Sequence, residues 1–535
     1  MTLTIFILFL IISVSGKENE IVSEKEVLHA IAKGNTMVVE QFVKQGNDIN
    51  GFYHRSETTL LNYSVKRKSM QVFNHLLALG ADPDMPSQGL TPIMHAIRHG
   101  EMSMIHRLLR IGANIDATAK GGQTALIYAA KLGKFEFVRT LIEWGADAEI
   151  RNNRNQSALD IANLSNQLEI AVYLVKIIEL RHLFAGLPVE SDGPHIEWAN
   201  DTMVRMFYMI TDIVRKYPVL HCDFFPATGE TIVLKGFAGD PKDYYLIKNK
   251  DPDNWDFQNV SKVLALGDIH GHYSAFKKYL IQNGVINENL DWTYGDGHLV
   301  LLGDLFDRGD QVTESLWLIH QLDIKSRQHG GRVHMILGNH EVMAMINDIR
   351  YISRKYKQFS NYFSREYADF YNRKTELGLW LRNKSAVVRI NDCIFSHAGI
   401  SSEIIKHKFT IPRINFLLQN FLANDPQSPN RFPKETNIIL GKWGPLWYRG
   451  FLYDFPDVAL ITQDEVNDVL KTMEGSKLVI AHSHVETISA MYNNAVIAID
   501  VPVHKSEVIS EGLLIENGKY YRLLHNGEKI LLLDK

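Results

Sequence analysis

The hydrophobic pattern changes twice along the chain and divides it into three parts. An unbroken apolar run occupies positions 3–14 (LTIFILFLIISV). Between 24 and 175, apolar residues recur at helical spacing, as at Val138, Leu141 and Ile142, which predicts short amphipathic helices. Beyond position 192, short apolar runs end in Gly, Asp, Asn or His, the pattern of buried strands followed by polar loops. The chain is therefore expected to hold a leader, a helical domain and an α/β domain.

A repeat of 32 or 33 residues runs through the helical part. Its first marker, a Thr or Ser before an apolar stretch, stands at 59–64 (TLLNYS), 91–96 (TPIMHA), 124–129 (TALIYA) and 157–162 (SALDIA). A second marker is in phase with it, at 80–84 (GADPD), 112–116 (GANID) and 145–149 (GADAE). The pattern resembles the ankyrin repeat, whose signature is Thr-Pro-Leu-His-x-Ala on a period of about 33 residues.

This resemblance implies pairs of helices stacked into an all-α solenoid. The Thr or Ser is expected to cap the first helix of each pair, and the Gly to end the second in a left-handed conformation. A weaker first unit at 27–50 is expected to cap the array. We predict ankyrin repeats over residues 24–175 that bind a partner protein; a passive structural appendage is the alternative.

Polar residues follow four of the strand-like runs in the α/β part. The run–loop pairs are 263–266 with GDIHGH, 299–302 with GDLFDRGD, 333–337 with GNHE, and 393–396 with HAGI. Loops at the carboxyl ends of strands meet at one edge of a parallel or mixed sheet, where ligands bind. A single site at such an edge is expected.

The residue types in these loops favour metal binding. Asp268 and His270 are two positions apart and can hold one ion, while Asp304 can bridge two ions through its two oxygens. Asn339, His397 and a later histidine in 478–484 can complete the second ion. Such a mixed oxygen and nitrogen set, without thiolate, suits Mn²⁺, Fe or Zn²⁺.

Taken in order, GDIHG, GDLFDRGD, GNHE, a His-Ala-Gly and a late His-Ser resemble the phosphoprotein phosphatase branch of the calcineurin-like metallophosphoesterases. Within that branch, 192–194 (DGP), GDLFDRGD and 444–450 (GPLWYRG) resemble the Shewanella-like protein phosphatases. The resemblance covers about 192 to the last residue. It implies a phosphatase domain over 190–535, a β-sandwich flanked by helices.

The resemblance also implies roles for individual residues. Asp268, His270 and Asp304 would bind the first of two divalent ions, and Asn339, His397 and His482 the second. A hydroxide shared by the two ions would attack phosphorus in line with the leaving oxygen, without a phospho-enzyme.

Four further residues would act on the substrate in this scheme. His340 would give a proton to the leaving group, with Asp307 orienting it. Arg308 would clamp the phosphate oxygens, and Arg449 would be a second clamp. His484 is additional to the usual pattern, either as an extra ligand or beside the ligands.

The stretch between 341 and 387 is helical in pattern, aromatic and basic. Three interpretations are open: an insertion that packs its aromatics on the core, a cap that selects bulky phosphates, and a nucleic-acid surface. Glu341 has two interpretations, support of the metal loop or a solvated carboxylate at a helix start.

Composition excludes several classes of protein. The 535 residues include 61 acidic and 57 basic side chains, a net charge of −4, which argues against coating nucleic acid or an anionic membrane. Two cysteines, Cys222 and Cys393, cannot form a disulfide framework. Neither is followed by arginine six positions later, as a cysteine phosphatase requires.

The apolar run at 3–14 has the length of a signal-peptide core and is too short to span a bilayer. Ser13-Val14-Ser15 supplies the small residues of a cleavage site. We predict a signal peptide over 1–15 and a secreted or periplasmic product, with an uncleaved anchor or a buried N-terminus as alternatives.

Together these features predict a metal-dependent phosphomonoester hydrolase, a protein phosphatase whose ankyrin repeats choose the partner. Two alternatives stay open: a small-molecule or nucleotide phosphatase, and an inactive phosphatase fold used for binding.

Overall fold

The structure, a computed structural model, describes residues 21–53, 57–184, 190–214, 216–237, 239–248, 254–424, 433–454, 458–503 and 508–534. The predicted signal peptide at 1–15 lies outside these ranges. The chain divides into two compact units, residues 1–183 and 184–535, which we treat separately.

The first unit consists of paired antiparallel helices in its described part. They are α1 Glu24–Lys33, α2 Thr36–Lys44, α3 Leu60–Lys66, α4 Met70–Ala78, α5 Pro92–His99, α6 Met102–Arg110, α7 Ala125–Lys131, α8 Phe135–Glu143, α9 Ala158–Leu164 and α10 Leu168–Phe184. This arrangement confirms the predicted all-α repeat array. The last helix continues past position 175, to Phe184.

Both repeat markers act as their residue types predict. Thr91 and Thr124 accept a backbone N–H at the third position of α5 and α7, which satisfies one free donor at each helix start. Gly112 has φ 90°, a left-handed conformation that glycine adopts without strain. Ile97 of α5, Leu126 of α7 and Ala162 of α9 are fully buried in one cluster, so consecutive pairs share one continuous core.

The second unit contains four β-sheets in its described part. Its strands are β1 Ser191–Asn200, β2 Met203–Thr211, β3 Pro218–Pro226, β4 Thr231–Lys235, β5 Asp243–Ile247, β6 Asp256–Phe257, β7 Lys262–Leu266, β8 His298–Leu301, β9 Arg332–Met335, β10 Val387–Ile390, β11 Cys393–Ser396, β12 Lys477–Ile480, β13 Ser489–Met491, β14 Val496–Ala498, β15 Glu511–Glu516, β16 Lys519–Leu524 and β17 Lys529–Leu533. The sheets have the strand orders β1-β2-β3, β4-β5, β17-β16-β15-β7-β8-β9 and β13-β14-β12-β11-β10-β6.

Helices connect and cover these sheets. They are α11 Tyr273–Gln282, α12 Val312–Arg327, α13 Asn339–Met345, α14 Arg354–Tyr362, α15 Glu376–Arg382, α16 Ser402–Lys406, α17 Ile411–Ala423, α18 Thr436–Leu440 and α19 Gln463–Thr472, with a 3₁₀ helix at Tyr367–Tyr371. Across the described ranges, none of the helices has both the length and the apolar character that crossing a bilayer requires.

The two six-stranded sheets pack against each other as a β-sandwich. Their shared core includes Val263 and Val300 from one sheet and Phe395, Val479 and Ile497 from the other, all buried. Strands β7, β8 and β9 are parallel in the first sheet, and β11, β12 and β14 are parallel in the second. The expectation that all the site loops leave one sheet is therefore wrong, because the buried strands belong to two.

The aromatic insertion packs into the core. Eight of its nine aromatic side chains are at most 5% exposed: Tyr356, Phe359, Tyr362, Phe363, Tyr367, Phe370, Tyr371 and Trp380. The remaining one, Tyr351, is 49% exposed. The first interpretation of this stretch is thus confirmed for all the aromatics but one.

Candidate metal centre and active site

The predicted site residues come together at the carboxyl ends of strands from both sheets. Asp268 and His270 follow β7, and Asp304 follows β8. Asn339 begins α13 after β9, His397 follows β11, and His482 follows β12. All six side chains are buried, with at most 6% exposure.

Two groups of side chains in the described ranges lie close enough together to hold a metal ion. One is His270, Asp304 and His340, and the other is Asp304, His397 and His482, with ligand atoms within 4.8 Å of one another in each. Asp304 belongs to both groups. Its Oδ2 lies 3.9 Å from His270 Nε2, and its Oδ1 lies 3.3 Å from His397 Nε2, so its two oxygens face different imidazoles.

The other predicted ligands border these groups. Asp268 Oδ2 lies 3.7 Å from His270 Nε2, and Asn339 Oδ1 lies 3.0 Å from His397 Nε2. His340, predicted as a proton donor, also has its Nε2 3.7 Å from Asp304 Oδ2.

Backbone carbonyls fix the orientation of two of the imidazoles. His270 Nδ1 is 2.8 Å from the carbonyl of Phe306, and His397 Nδ1 is 2.6 Å from that of Leu302. Each Nδ1–H donates to its carbonyl, which leaves the Nε2 lone pair free. Metal-binding histidines are usually held this way.

The chemistry of the donor set fits divalent cations. His270 Nε2 and His482 Nε2 are buried without a hydrogen-bond partner. Burial lowers the pKa of His270 to about 3 and also lowers the pKa of His482, so both rings are neutral, as a metal ligand must be. Burial and the carboxylates of Asp500 and Asp304 raise the pKa of Asp268, a repulsion that bound cations relieve.

Glu341 ties the two loops of this centre together. It is fully buried, and its carboxylate accepts the backbone N–H of Gly338 at 2.7 Å, of Asp304 at 2.9 Å and of Leu305 at 2.7 Å. Glu341 therefore holds the loops that carry the predicted ligands Asp304 and Asn339, and the interpretation as a solvated carboxylate is wrong.

The loop after β8 has an unusual backbone. Asp304, Asp307 and Arg308 have φ of 52°, 70° and 63°, left-handed values that cost roughly 1–2 kcal/mol each for residues other than glycine. A Cβ at Gly303 would lie 2.5 Å from the amide nitrogen of Gly338, so only glycine lets these loops approach. Such strain is typical of functional loops held by surrounding contacts.

His340 and Asp307 form a close imidazole–carboxylate pair through Nδ1 and Oδ2. Burial alone would lower the pKa of His340, but the carboxylates of Asp304 and Asp307 outweigh it and raise that pKa. The imidazole is therefore kept charged to higher pH and can carry a proton.

The two predicted arginines lie beside the centre. Arg308 is exposed and borders a cavity of about 120 Å³ together with Asp268, His270 and His484. Arg449 donates from Nη1 to the carbonyl of His482 at 3.0 Å, which places its guanidinium next to a predicted ligand.

His484 pairs with a residue that sequence reasoning missed. Its Nδ1 lies 2.9 Å from Oδ2 of Asp500, a fully buried carboxylate just after β14. Neither metal group in the described ranges includes His484, which favours a place beside the ligands. The run 496–499 (VIAI) before Asp500 has the same strand-then-carboxylate pattern as the other loops, so that signal was available.

Tyr351 is an exposed aromatic residue beside His340. Its ring centroid lies 5.3 Å from that of His340, and its carbonyl accepts the backbone N–H of Arg308 at 3.1 Å. A half-exposed ring therefore flanks the imidazole that would face the leaving group.

Comparison with known proteins assigns both units to families. The family model of calcineurin-like phosphoesterases matches residues 261–486, which include the six predicted ligands. The ankyrin-repeat model matches residues 27–119 and 93–182.

Relatives of the second unit are found in distant organisms. Shewanella-like protein phosphatase 1 of Plasmodium berghei is 27% identical over 243 residues, 45% of this chain and 66% of that protein. An uncharacterized protein of Schizosaccharomyces pombe is 29% identical over 232 residues, 41% of this chain and 66% of that protein. Shewanella-like protein phosphatase 2 of Arabidopsis thaliana is 30% identical over 99 residues, 18% of this chain and 25% of that protein.

Solved structures extend the likeness to the whole unit. A cold-active protein tyrosine phosphatase superposes with a TM-score of 0.58 at 30% identity, covering 65% of this chain and 98% of that one. The cold-active protein tyrosine phosphatase of a psychrophilic Shewanella species gives a TM-score of 0.56 at 30% identity, covering 64% of this chain and all of that one. The chain therefore belongs to the calcineurin-like phosphoesterases, within the Shewanella-like protein phosphatase group, and carries ankyrin repeats before its phosphoesterase domain.

Proposed function

We propose that this phosphoesterase hydrolyses phosphomonoesters on proteins, using two divalent ions held at Asp304. The observation that carries the proposal is the carboxylate of Asp304, which is shared by two groups of potential ligands. One group contains His270, and the other contains His397 and His482. With Asp268 and Asn339 beside them, these donors supply the mixed oxygen and nitrogen set that Mn²⁺, Fe or Zn²⁺ prefers. Ions bound there would supply Lewis-acid activation of water and of the phosphate oxygens.

The chain's own residues would deliver the proton. His340 is charged to higher pH than a free imidazole because Asp304 and Asp307 raise its pKa against the effect of burial. Asp307 accepts from its Nδ1 and fixes the ring, which leaves Nε2 to protonate the departing ester oxygen.

Binding and orientation of the phosphate would fall to the arginines. Arg308 is exposed at the rim, and its planar guanidinium matches phosphate oxygens bidentately. Arg449 is half-buried and tied to the carbonyl of His482, so its remaining donors are available at a fixed position.

Phosphotyrosine is the substrate that the observations favour. The two superposed structures are those of protein tyrosine phosphatases. In this chain, the half-exposed ring of Tyr351 lies beside His340, where an aromatic leaving group would sit. The ankyrin repeats would bind the protein that carries the phosphate. Secretion is proposed from the sequence alone, since residues 1–15 lie outside the described ranges.

Hydrolysis of p-nitrophenyl phosphate tests the proposal. The chain from Lys17 onward should turn over with added Mn²⁺, and both a chelator and Asp268→Asn should abolish turnover. Phosphotyrosine peptides should then be cleaved faster than phosphoserine peptides. Faster cleavage of nucleotides would favour a nucleotide phosphatase. Folded protein that is inactive with every divalent ion would favour an inactive phosphatase fold used for binding.

A further inference from the structure

Asp192 is a buried carboxylate far from the metal loops in sequence. It lies in β1, is 3% exposed, and its Oδ2 lies 2.8 Å from His195 Nε2. Its Oδ1 lies 3.2 Å from the ammonium of Lys355. Burial would raise the pKa of Asp192, but Lys355 and His195 outweigh it and lower that pKa to about 2. Asp192 is therefore ionised at neutral pH.

Lys355 connects this carboxylate to the catalytic loop. It lies in α14, is 5% exposed, and donates from Nζ to the backbone carbonyl of Asp310 at 2.7 Å. Its Nζ also lies 3.7 Å from Glu314 Oε1. One buried ammonium thus links two carboxylates to the turn that begins two residues after Arg308.

The neighbouring residue of α14 holds the same turn. Tyr356 accepts the backbone N–H of Val312 at 2.8 Å and donates to the carbonyl of Asp310 at 3.1 Å. On the other side of the loop, the N–H of Gly309 bonds the carbonyl of His270 at 3.0 Å. The loop is therefore fixed between the first metal loop and α14.

Arg308 needs such support. It and Asp307 are consecutive non-glycine residues in the left-handed region, with φ of 63° and 70°, and its own side chain is exposed. A loop of this kind keeps its shape only where surrounding contacts hold it.

We infer that Asp192 is a positioning residue, which through Lys355 fixes the loop that carries Arg308 and so sets the affinity for the phosphate group. The inference rests on the proposed function, because it takes Arg308 as the residue that binds phosphate. It gives a role to the Asp-Gly-Pro sequence at 192–194, which lies outside the metal centre.

The test compares Asp192→Asn, Lys355→Met and the double variant in the full chain loaded with Mn²⁺. The inhibition constant of inorganic phosphate and the KM for p-nitrophenyl phosphate should each rise about tenfold in both single variants. The kcat should change far less, and bound manganese should stay at the wild-type level. Asp291→Asn is the control, since it also breaks an aspartate–lysine pair, with Lys325 at 2.7 Å, outside this network.

The double variant separates positioning from stability. Removing both charges leaves neither Asp192 nor Lys355 as an unpaired buried charge, and Glu314, which loses Lys355 as well, is partly exposed, so the Tm of the double variant should recover toward the wild type. Its phosphate inhibition constant should stay raised, because the carbonyl of Asp310 still lacks the Lys355 donor. The inference is wrong if the Tm and the phosphate inhibition constant of the double variant both return to the wild-type values. It is also wrong if folded Asp192→Asn binds phosphate as the wild type does.

Arg308→Ala supplies the second criterion. If Asp192 acts through Arg308, adding Asp192→Asn to Arg308→Ala should raise KM less than about twofold further. A full multiplication of the two effects would overturn the inference. Absence of Mn²⁺-dependent turnover in the wild type would instead refute the proposed function, and calorimetric phosphate binding to the same variants would still decide the role of Asp192.

Discussion

Replacing Glu341 by glutamine should weaken both the fold around the metal centre and the binding of metal. The carboxylate accepts four buried backbone N–H groups, from Gly338, Asp304 and Leu305 at 2.7–2.9 Å and from Phe306 at 3.4 Å. Two N–H groups donate to each carboxylate oxygen, and an amide has only one oxygen. Two N–H groups would therefore face the new NH₂ group, and the other two would lose a charged acceptor. Hydrogen bonds to charged groups contribute about 1.5–3 kcal/mol each and neutral ones about 0.5–1.5.

Summing these differences gives a decrease of roughly 3–5 kcal/mol in the free energy of unfolding. Part of it is offset, because burial and the nearby carboxylate of Asp304 raise the pKa of Glu341, and the neutral amide removes that repulsion. We therefore expect the free energy of unfolding of metal-free protein to fall by about 3 kcal/mol. Because the same N–H groups hold the loops of Asp304 and Asn339, manganese affinity should fall about 10- to 100-fold.

Urea unfolding of the metal-free protein and a calorimetric Mn²⁺ titration measure the two effects. Glu288→Gln is the matched control, since Glu288 is exposed in the same unit. Wild-type stability together with wild-type manganese affinity in Glu341→Gln would refute the reasoning that this carboxylate organises the centre.

Three further predictions concern other parts of the chain. Leu126→Ala, in the fully buried repeat core, should lower the free energy of unfolding of the repeats by about 2–5 kcal/mol. Leu132→Ala, at a site 41% exposed, should change it little. Urea unfolding measures both variants, and equal losses of stability would contradict the shared core. Burial would raise the pKa of Asp323, but the ammonium of Lys384, 2.9 Å away, outweighs burial and lowers that pKa. Asp323→Asn should therefore lower the free energy of unfolding by about 3–5 kcal/mol at neutral pH. That loss should shrink as the pH falls below about 4, because the contribution of a carboxylate with a lowered pKa is complete only above the pKa of the unfolded form and fades as the pH falls toward the folded pKa. A loss that is constant with pH would contradict the ion pair. Tyr351→Ala should lower kcat/KM for aryl phosphates about tenfold and for alkyl phosphates little. Tyr351→Phe should retain most of the activity. Equal losses on both kinds of substrate would exclude stacking of the aryl group on the Tyr351 ring.

Much of the architecture was predictable from residue pattern alone. The repeat period and its Thr and Gly markers predict where each helix begins and ends, because a cap or a left-handed glycine depends only on residues within one helical turn. The strand-then-loop pattern also identified the loops that meet in the centre, since burial of a short apolar run and exposure of its polar end are local properties.

Long-range pairing could not be predicted in the same way. The loops leave two sheets rather than one because β7 and β11 pair with different partners, a choice that local pattern does not encode. Asp500 was missed because it stands alone after its strand, without a neighbouring His or Gly to mark it. The link from Asp192 to Lys355 spans more than 160 positions and depends on how α14 packs.

The central claim is that Asp304 joins two metal ions in one catalytic centre. Metal content and p-nitrophenyl phosphate turnover, measured on the same preparation, test it most directly for the wild type and Asp304→Asn. We expect two divalent ions per chain and Mn²⁺-dependent turnover in the wild type, with both lost in folded Asp304→Asn. Turnover that survives complete removal of metal, or an Asp304→Asn protein that keeps both ions and full activity, would contradict it.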